Sequence, residues 1–190
     1  MASRYSWKLS ELVTVVVLAV ALGVFWWGWT LLTLLPVFAP LKALGLDYLL
    51  AGMWFAGGTL IPFLVRKPGA ALVGELLAAI IEGFITQWGI TAAIWGLAQG
   101  VGAEIVFALF RYRTYNLTVL MLAGALSGIL SWMLDFVYSN YSGLAHWVWF
   151  VQVGSVIVSG AVWAGLVGWL IARGVLRTGV IRVAGPSPAK

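Results

Sequence analysis

The sequence predicts an all-α membrane protein, a six-transmembrane-helix bundle with both termini cytoplasmic. Three observations lead there. The 190-residue chain has a mean hydropathy of +1.03, with 63% hydrophobic and only 9% charged residues, against the ~25% charged fraction of soluble domains. Its apolar residues fall into runs at 12–35, 49–65, 69–86, 91–110, 116–138 and 147–172, on the scale of the ~20 residues a helix needs to cross ~30 Å of hydrocarbon. Its basic residues sit in alternate connecting segments, the pattern that cytoplasmic loops impose.

Taken in order, the first run follows Arg4 and Lys8 and contains Ala19-Val20-Ala21, a triplet resembling a signal-peptide cleavage site. The apolar stretch continues through Leu35, which predicts an uncleaved membrane helix instead. The second and third runs are short for a crossing, and the alternative for this region is a five-span chain with one re-entrant segment. Orientation decides between them. Arg4 and Lys8, Arg66 and Lys67, Arg111 and Arg113, and finally Arg173, Arg177, Arg182 and Lys190 lie on one side, leaving only Lys42 for the other. That alternation requires an even number of crossings. Residues 1–173 are expected to form the bundle, and residues 174–190, with Gly185-Pro186-Ser187-Pro188, a flexible cytoplasmic tail. The predicted location is the plasma membrane, with the lipid bilayer as the surroundings.

Composition also excludes. Without cysteine, and with His146 as the single histidine, the chain has no disulfide framework, no thiolate chemistry and no metal site of His or Cys. The net charge of +5 is dispersed over short loops, so it reads as topology and not as a nucleic-acid surface. No nucleotide-binding loop is present, no resident cofactor is implied, and the buried acids lack the nucleophile and base that an enzyme needs. The expectation is a small-molecule binder with no catalytic activity.

An ionisable group within a span costs roughly 2.5–3.5 kcal/mol on insertion scales, so Glu75, Glu82, Glu104 and Asp135 each require a reason. At ~1.5 Å per residue, Glu75 and Glu104 lie roughly 10 Å from cytoplasmic basic residues, Glu82 lies roughly 22 Å from Lys67, and Asp135 is close to the outer surface. Glu75 and Glu104 are within snorkelling reach of Arg66, Arg111 and Arg113, which suits structural or coupling acids. Glu82 has no cation at its level and shares its helix face with Ala71, Ala78 and Ala79, so it is expected to face the bundle interior and bind the ligand. Asp135 fits a solvated helix-end acid as well as a site residue. It continues a stripe of Gly124, Gly128 and Ser131, with Trp132 one turn earlier. Gln99 shares a face with Gly96 and Ala103, while Glu104 lies about 140° away. In the last span Gln152 aligns with Ser155, Ser159 and Trp149.

The outer level therefore collects Glu82, Gln99, Trp54, Trp132, Asp135, Gln152 and Trp149 as candidate substrate-binding residues. Among the 12 Trp, Trp26, Trp27, Trp29, Trp88 and Trp147 are expected in an aromatic belt at the membrane interface. Trp54 and Trp132 suit a pocket or a belt equally. An indole beside a carboxylate can stack on a planar or cationic ligand while the acid accepts its hydrogen bonds.

The stretches RKPGAALVGELLAAIIEG, from Arg66 to Gly83, and AQGVGAEIVFALFRYR, from Ala98 to Arg113, resemble the YkoE family, as do Gly52-Met53-Trp54-Phe55, Leu122-Ala123-Gly124 and Asp135. These are substrate-binding S components of energy-coupling factor (ECF) transporters, associated with thiamine and its hydroxymethylpyrimidine precursor. The resemblance implies a six-helix protein that captures a vitamin from outside and works with a membrane coupling subunit and two cytoplasmic ATPases. With that role, the small-residue spacing of Ala19 and Gly23 is a candidate contact for the coupling subunit. The alternative is a proton-coupled secondary transporter of a small cationic or aromatic solute, in which Glu82 would cycle its proton.

Overall fold

The computed structural model describes residues 6–180. Among them the regular elements are all helical. Helix α1 (Leu9–Thr33) is followed by a short 3₁₀ turn, Pro36–Phe38, and the short helix α2 (Ala39–Ala43). A 3₁₀ segment, Asp47–Phe55, then leads into α3 (Gly57–Val65). Helices α4 (Ala70–Ile85), α5 (Ala92–Leu109) and α6 (Leu117–Tyr138) come next, and the last span runs from α7 (His146–Ser159) through a π-helical stretch, Gly160–Val167, into α8 (Gly168–Arg177). Among the described residues, five segments are long and apolar enough to cross a membrane: Leu9–Thr33, Asp47–Val65, Gly89–Leu109, Leu117–Tyr138 and His146–Arg177. The chain is thus a multi-pass membrane protein. The run at 69–86 folds as α4, whose 16 residues reach only about 24 Å at ~1.5 Å per residue.

Burial follows the helical repeat. On α1 the buried residues are Glu11, Val15, Ala19, Gly23, Trp26 and Thr30, one stripe at three- and four-residue spacing, while Val13, Val16, Val17, Val20 and Val24 face outward. That stripe lies against α4: a Cβ on Gly23 would stand 2.7 Å from the Ala78 carbonyl oxygen and 2.8 Å from Ile81 Cγ2. This corrects the expected coupling-subunit contact. Ala19 is completely buried and Gly23 meets α4 within the same chain, so the small-residue face serves the protein's own packing. Between α6 and the π-helical stretch, Gly124 and Gly160 cross so closely that a Cβ on either would lie 2.2 Å from the other's carbonyl oxygen.

Several turns gather at one end. Lys67, in the α3–α4 turn, donates to the Ser6 carbonyl at 2.7 Å and pairs with Glu11 at 3.4 Å. Arg66 lies over the rings of Phe63 and of Tyr115 from the α5–α6 turn, 5.8 and 5.7 Å from their centroids. α6 starts there, its Asn116 side chain accepting the Val119 N–H at 3.0 Å, the hydrogen bond that favours Asn as a helix cap. α8 continues through Arg177, into the stretch expected to be a flexible tail. Arg4, Arg182, Lys190 and the Gly185 to Pro188 stretch lie outside the described residues.

Candidate functional site

At the other end of the bundle the helices part around a cavity of about 530 Å³, within the ~300–1,000 Å³ range of small-molecule sites. One polar pole belongs to α4. Oε1 of Glu82 accepts the Thr30 hydroxyl from α1 and the Trp54 indole N–H from the 3₁₀ segment, both at 2.9 Å. Among the described residues nothing donates to its Oε2. The second pole belongs to α6. Oδ2 of Asp135 accepts the Tyr48 hydroxyl at 2.8 Å, and Oδ1 accepts the Trp95 indole N–H at 2.7 Å. Tyr48 also lies 3.2 Å from the Tyr141 hydroxyl. Along the wall joining α5 to α6, the Gln99 amide donates to Ser131 at 3.0 Å, and Ser127 donates to the Gln99 carbonyl at 2.7 Å. The lining also includes Lys42, Asp47, Trp88 and Tyr138.

Glu82, Gln99, Trp54 and Asp135 line the cavity as expected of site residues, whereas Trp132, Gln152 and Trp149 do not. Trp132 donates to Gln152 Oε1 at 3.1 Å and packs against Phe136, between α6 and α7. Trp149 donates to the Tyr141 carbonyl at 2.7 Å. Being three residues apart leaves Trp132 about 60° around the helix from Asp135, enough to turn the ring from the cavity into the wall behind it. This layer supports Tyr141 and does not itself line the cavity.

The unexpected lining residues are Tyr48, Asp47, Lys42, Tyr141 and Trp26. Trp95, one helical turn before Gln99 and so at the same outer level in the sequence, lines the cavity too. Trp26, expected in the interfacial belt, is instead 1% exposed and donates to the Met53 carbonyl at 2.8 Å. Trp29 similarly donates to the Leu50 carbonyl at 3.0 Å. Burial of an indole requires a partner for its N–H, and the 3₁₀ carbonyls supply it.

Glu75 and Glu104 face backbone amides, not the arginines expected beside them. The Glu104 carboxylate accepts the N–H groups of Gly69, Ala71 and Leu72 at 2.6, 3.1 and 3.2 Å. A side chain of α5 thereby caps the first turn of α4, where helical N–H groups lack internal partners. Glu75, fully buried, accepts the Gly58 N–H in the first turn of α3. Neither acid lines the cavity.

Comparison with known proteins agrees with this architecture. Residues 10–130 match the family described as ABC-type cobalt transport system, permease component. The crystal structure of an S-component of an ECF transporter superposes with a TM-score of 0.85 at 33% identity, covering 92% of this chain and 88% of that one. A helical membrane bundle with a ligand-sized cavity at one end is thus an ECF transporter S component, a transport subunit and not an enzyme. The chain is also 33% identical over 179 residues, 93% of its length and 88% of the relative's, to the HMP/thiamine permease protein YkoE of Bacillus subtilis (strain 168). It belongs to the YkoE family of S components.

Proposed function

We propose that this chain captures thiamine or hydroxymethylpyrimidine from the outer side of the membrane and delivers it through an ATP-driven importer. The observation that carries the reading is Glu82: a carboxylate with an uncommitted oxygen, on a cavity whose walls include the indoles of Trp54, Trp88 and Trp95. An aminopyrimidine can donate its exocyclic amine to such an oxygen, and a thiazolium can rest on an indole face. The YkoE relative's name points to the same ligands. The family description names cobalt, but among the described residues no three His, Cys, Asp or Glu side chains form a group that could hold a metal ion. That favours an organic solute.

Topology supports capture from outside. The cavity opens opposite the turns bearing Arg66, Lys67, Arg111 and Arg113, so placing these in the cytoplasm places the cavity outside. In this reading α4 adds a crossing to the other five, making six, both termini are cytoplasmic, and residues 174–190 include a cytoplasmic tail. ATP hydrolysis is assigned to two cytoplasmic ATPases acting through a membrane coupling subunit. Equilibrium titration of thiamine and hydroxymethylpyrimidine into the purified, detergent-solubilised chain tests the proposal, with tryptophan fluorescence as the signal. Saturable binding of at least one is expected. Failure of both to bind a folded chain would overturn it.

A further inference from the structure

We infer that the cavity takes the free alcohol form of its ligand and rejects phosphate esters of the same molecule. The inference rests on the capture role proposed above and names the chemistry by which that site discriminates. The donors around the cavity's two carboxylates are committed to the protein. The Trp54 N–H and the Thr30 hydroxyl both go to Glu82, the Trp95 N–H and the Tyr48 hydroxyl go to Asp135, and the Trp26 N–H goes to Met53. On the wall between them, one Gln99 amide N–H goes to the Ser131 hydroxyl.

The acceptors are not used up. A carboxylate offers about four lone-pair sites, and Glu82 and Asp135 each receive hydrogen bonds from two side chains. The positions left open toward a ligand therefore suit groups that donate, such as amines and protonated ring nitrogens. Charge points the same way. The lining carries three acids, Glu82, Asp135 and Asp47, against a single cation, Lys42 of α2, which lies within electrostatic reach of Asp47 and so leaves the cavity net negative. A phosphate monoester adds about −1.5 to −2 charges near neutral pH and needs several donors. Here it would meet two carboxylates whose neighbouring donors are already engaged. Like-charge juxtaposition of this kind weakens binding by at least about a hundredfold.

The test is competition on the purified full-length chain in detergent, comparing thiamine with thiamine monophosphate and with O-acetylthiamine as an uncharged control for bulk. Hydroxymethylpyrimidine and its phosphate form a second pair. The free alcohols are expected to bind at least about a hundredfold more tightly than their phosphates, with the acetyl ester within about tenfold of thiamine. Asp135→Asn, which removes charge but keeps shape, should narrow the gap between thiamine and its phosphate. If that variant does not fold, Glu82→Gln is expected to narrow it too. Phosphates that bind within about tenfold of the alcohols would overturn the inference and leave the capture role standing. An acetyl ester lost as completely as the phosphate, or a gap unchanged in a folded variant, would show that bulk and not charge excludes the ester, and would also overturn it. If neither thiamine nor hydroxymethylpyrimidine binds, the capture role fails and takes the inference with it.

Discussion

Glu82→Gln is the substitution that weighs most on the proposed role. In the structure both hydrogen bonds from the protein, from Thr30 and Trp54, reach Oε1, and a glutamine can present its carbonyl oxygen at the same place. The change is therefore confined to the other side of the group, where an anionic acceptor becomes a neutral amide donor aimed at the ligand. Losing one charge-assisted hydrogen bond costs ~1.5–3 kcal/mol, which corresponds to about a tenfold to somewhat over a hundredfold loss of affinity. The internal network is retained, so thermal stability should hardly change. Titration of the solubilised variant, with a melting curve recorded on the same sample, separates the two effects. Binding equal to the wild type would refute the reasoning. So would a folded Glu75→Gln or Glu104→Gln variant that loses the ligand while Glu82→Gln retains it.

Glu104→Gln should act on stability and leave affinity alone. Its carboxylate serves the amides of Gly69, Ala71 and Leu72, and weakening this cap should cost about 1–3 kcal/mol, seen as an earlier melting transition; an unshifted melt would contradict the capping role. Gly23→Val overpacks α1 against Ala78 and Ile81, a cost of roughly 1–3 kcal/mol or more. Ligand binding and uptake should fall together, and a variant that binds normally but fails only in uptake would return this face to a partner subunit. For topology, single cysteines in this Cys-free chain should react with an impermeant reagent on intact cells beside Lys42 and His146 but not beside Lys67 or Tyr112. The reverse pattern would invert the orientation.

Much of the bundle was legible because a bilayer enforces simple rules. Apolar runs had to become helices, and the 3.6-residue repeat turned Glu82, Gln99 and Asp135 toward one another from three separate helices. Their convergence on one cavity follows from periodicity taken together with depth below the basic loops. Where a 60° difference decided the outcome, as for Trp132, the repeat was too coarse. Tyr48 and Asp47 escaped for another reason: nothing in residues 47–55 distinguishes 3₁₀ from α winding, and the winding determines which side chains reach the cavity. Trp26 shows that an indole near a helix end can sit in the interfacial belt or bury itself on a neighbour's carbonyl. Only the position of that neighbour chooses. Small residues carry the same ambiguity. Ala19 and Gly23 mark a close helix approach without saying whose helix approaches, and Glu104 marks an acid near arginines without showing that amides are nearer still.

The 3₁₀ winding of Asp47–Phe55 also changes how far a short stretch of chain can reach. A 3₁₀ turn advances ~2.0 Å per residue and an α-helix ~1.5 Å. The nine residues of this segment therefore gain about 4.5 Å over α winding. Wound wholly as α-helix, the 19 residues of Asp47–Val65 would measure about 28 Å, just short of the ~30 Å hydrocarbon layer. With its first half drawn out, the same stretch comes to about 33 Å and clears the layer without added sequence. The stretched half is also the one that carries Tyr48 and Trp54, so a single economy of length both completes a crossing and brings two cavity side chains to the ligand's level.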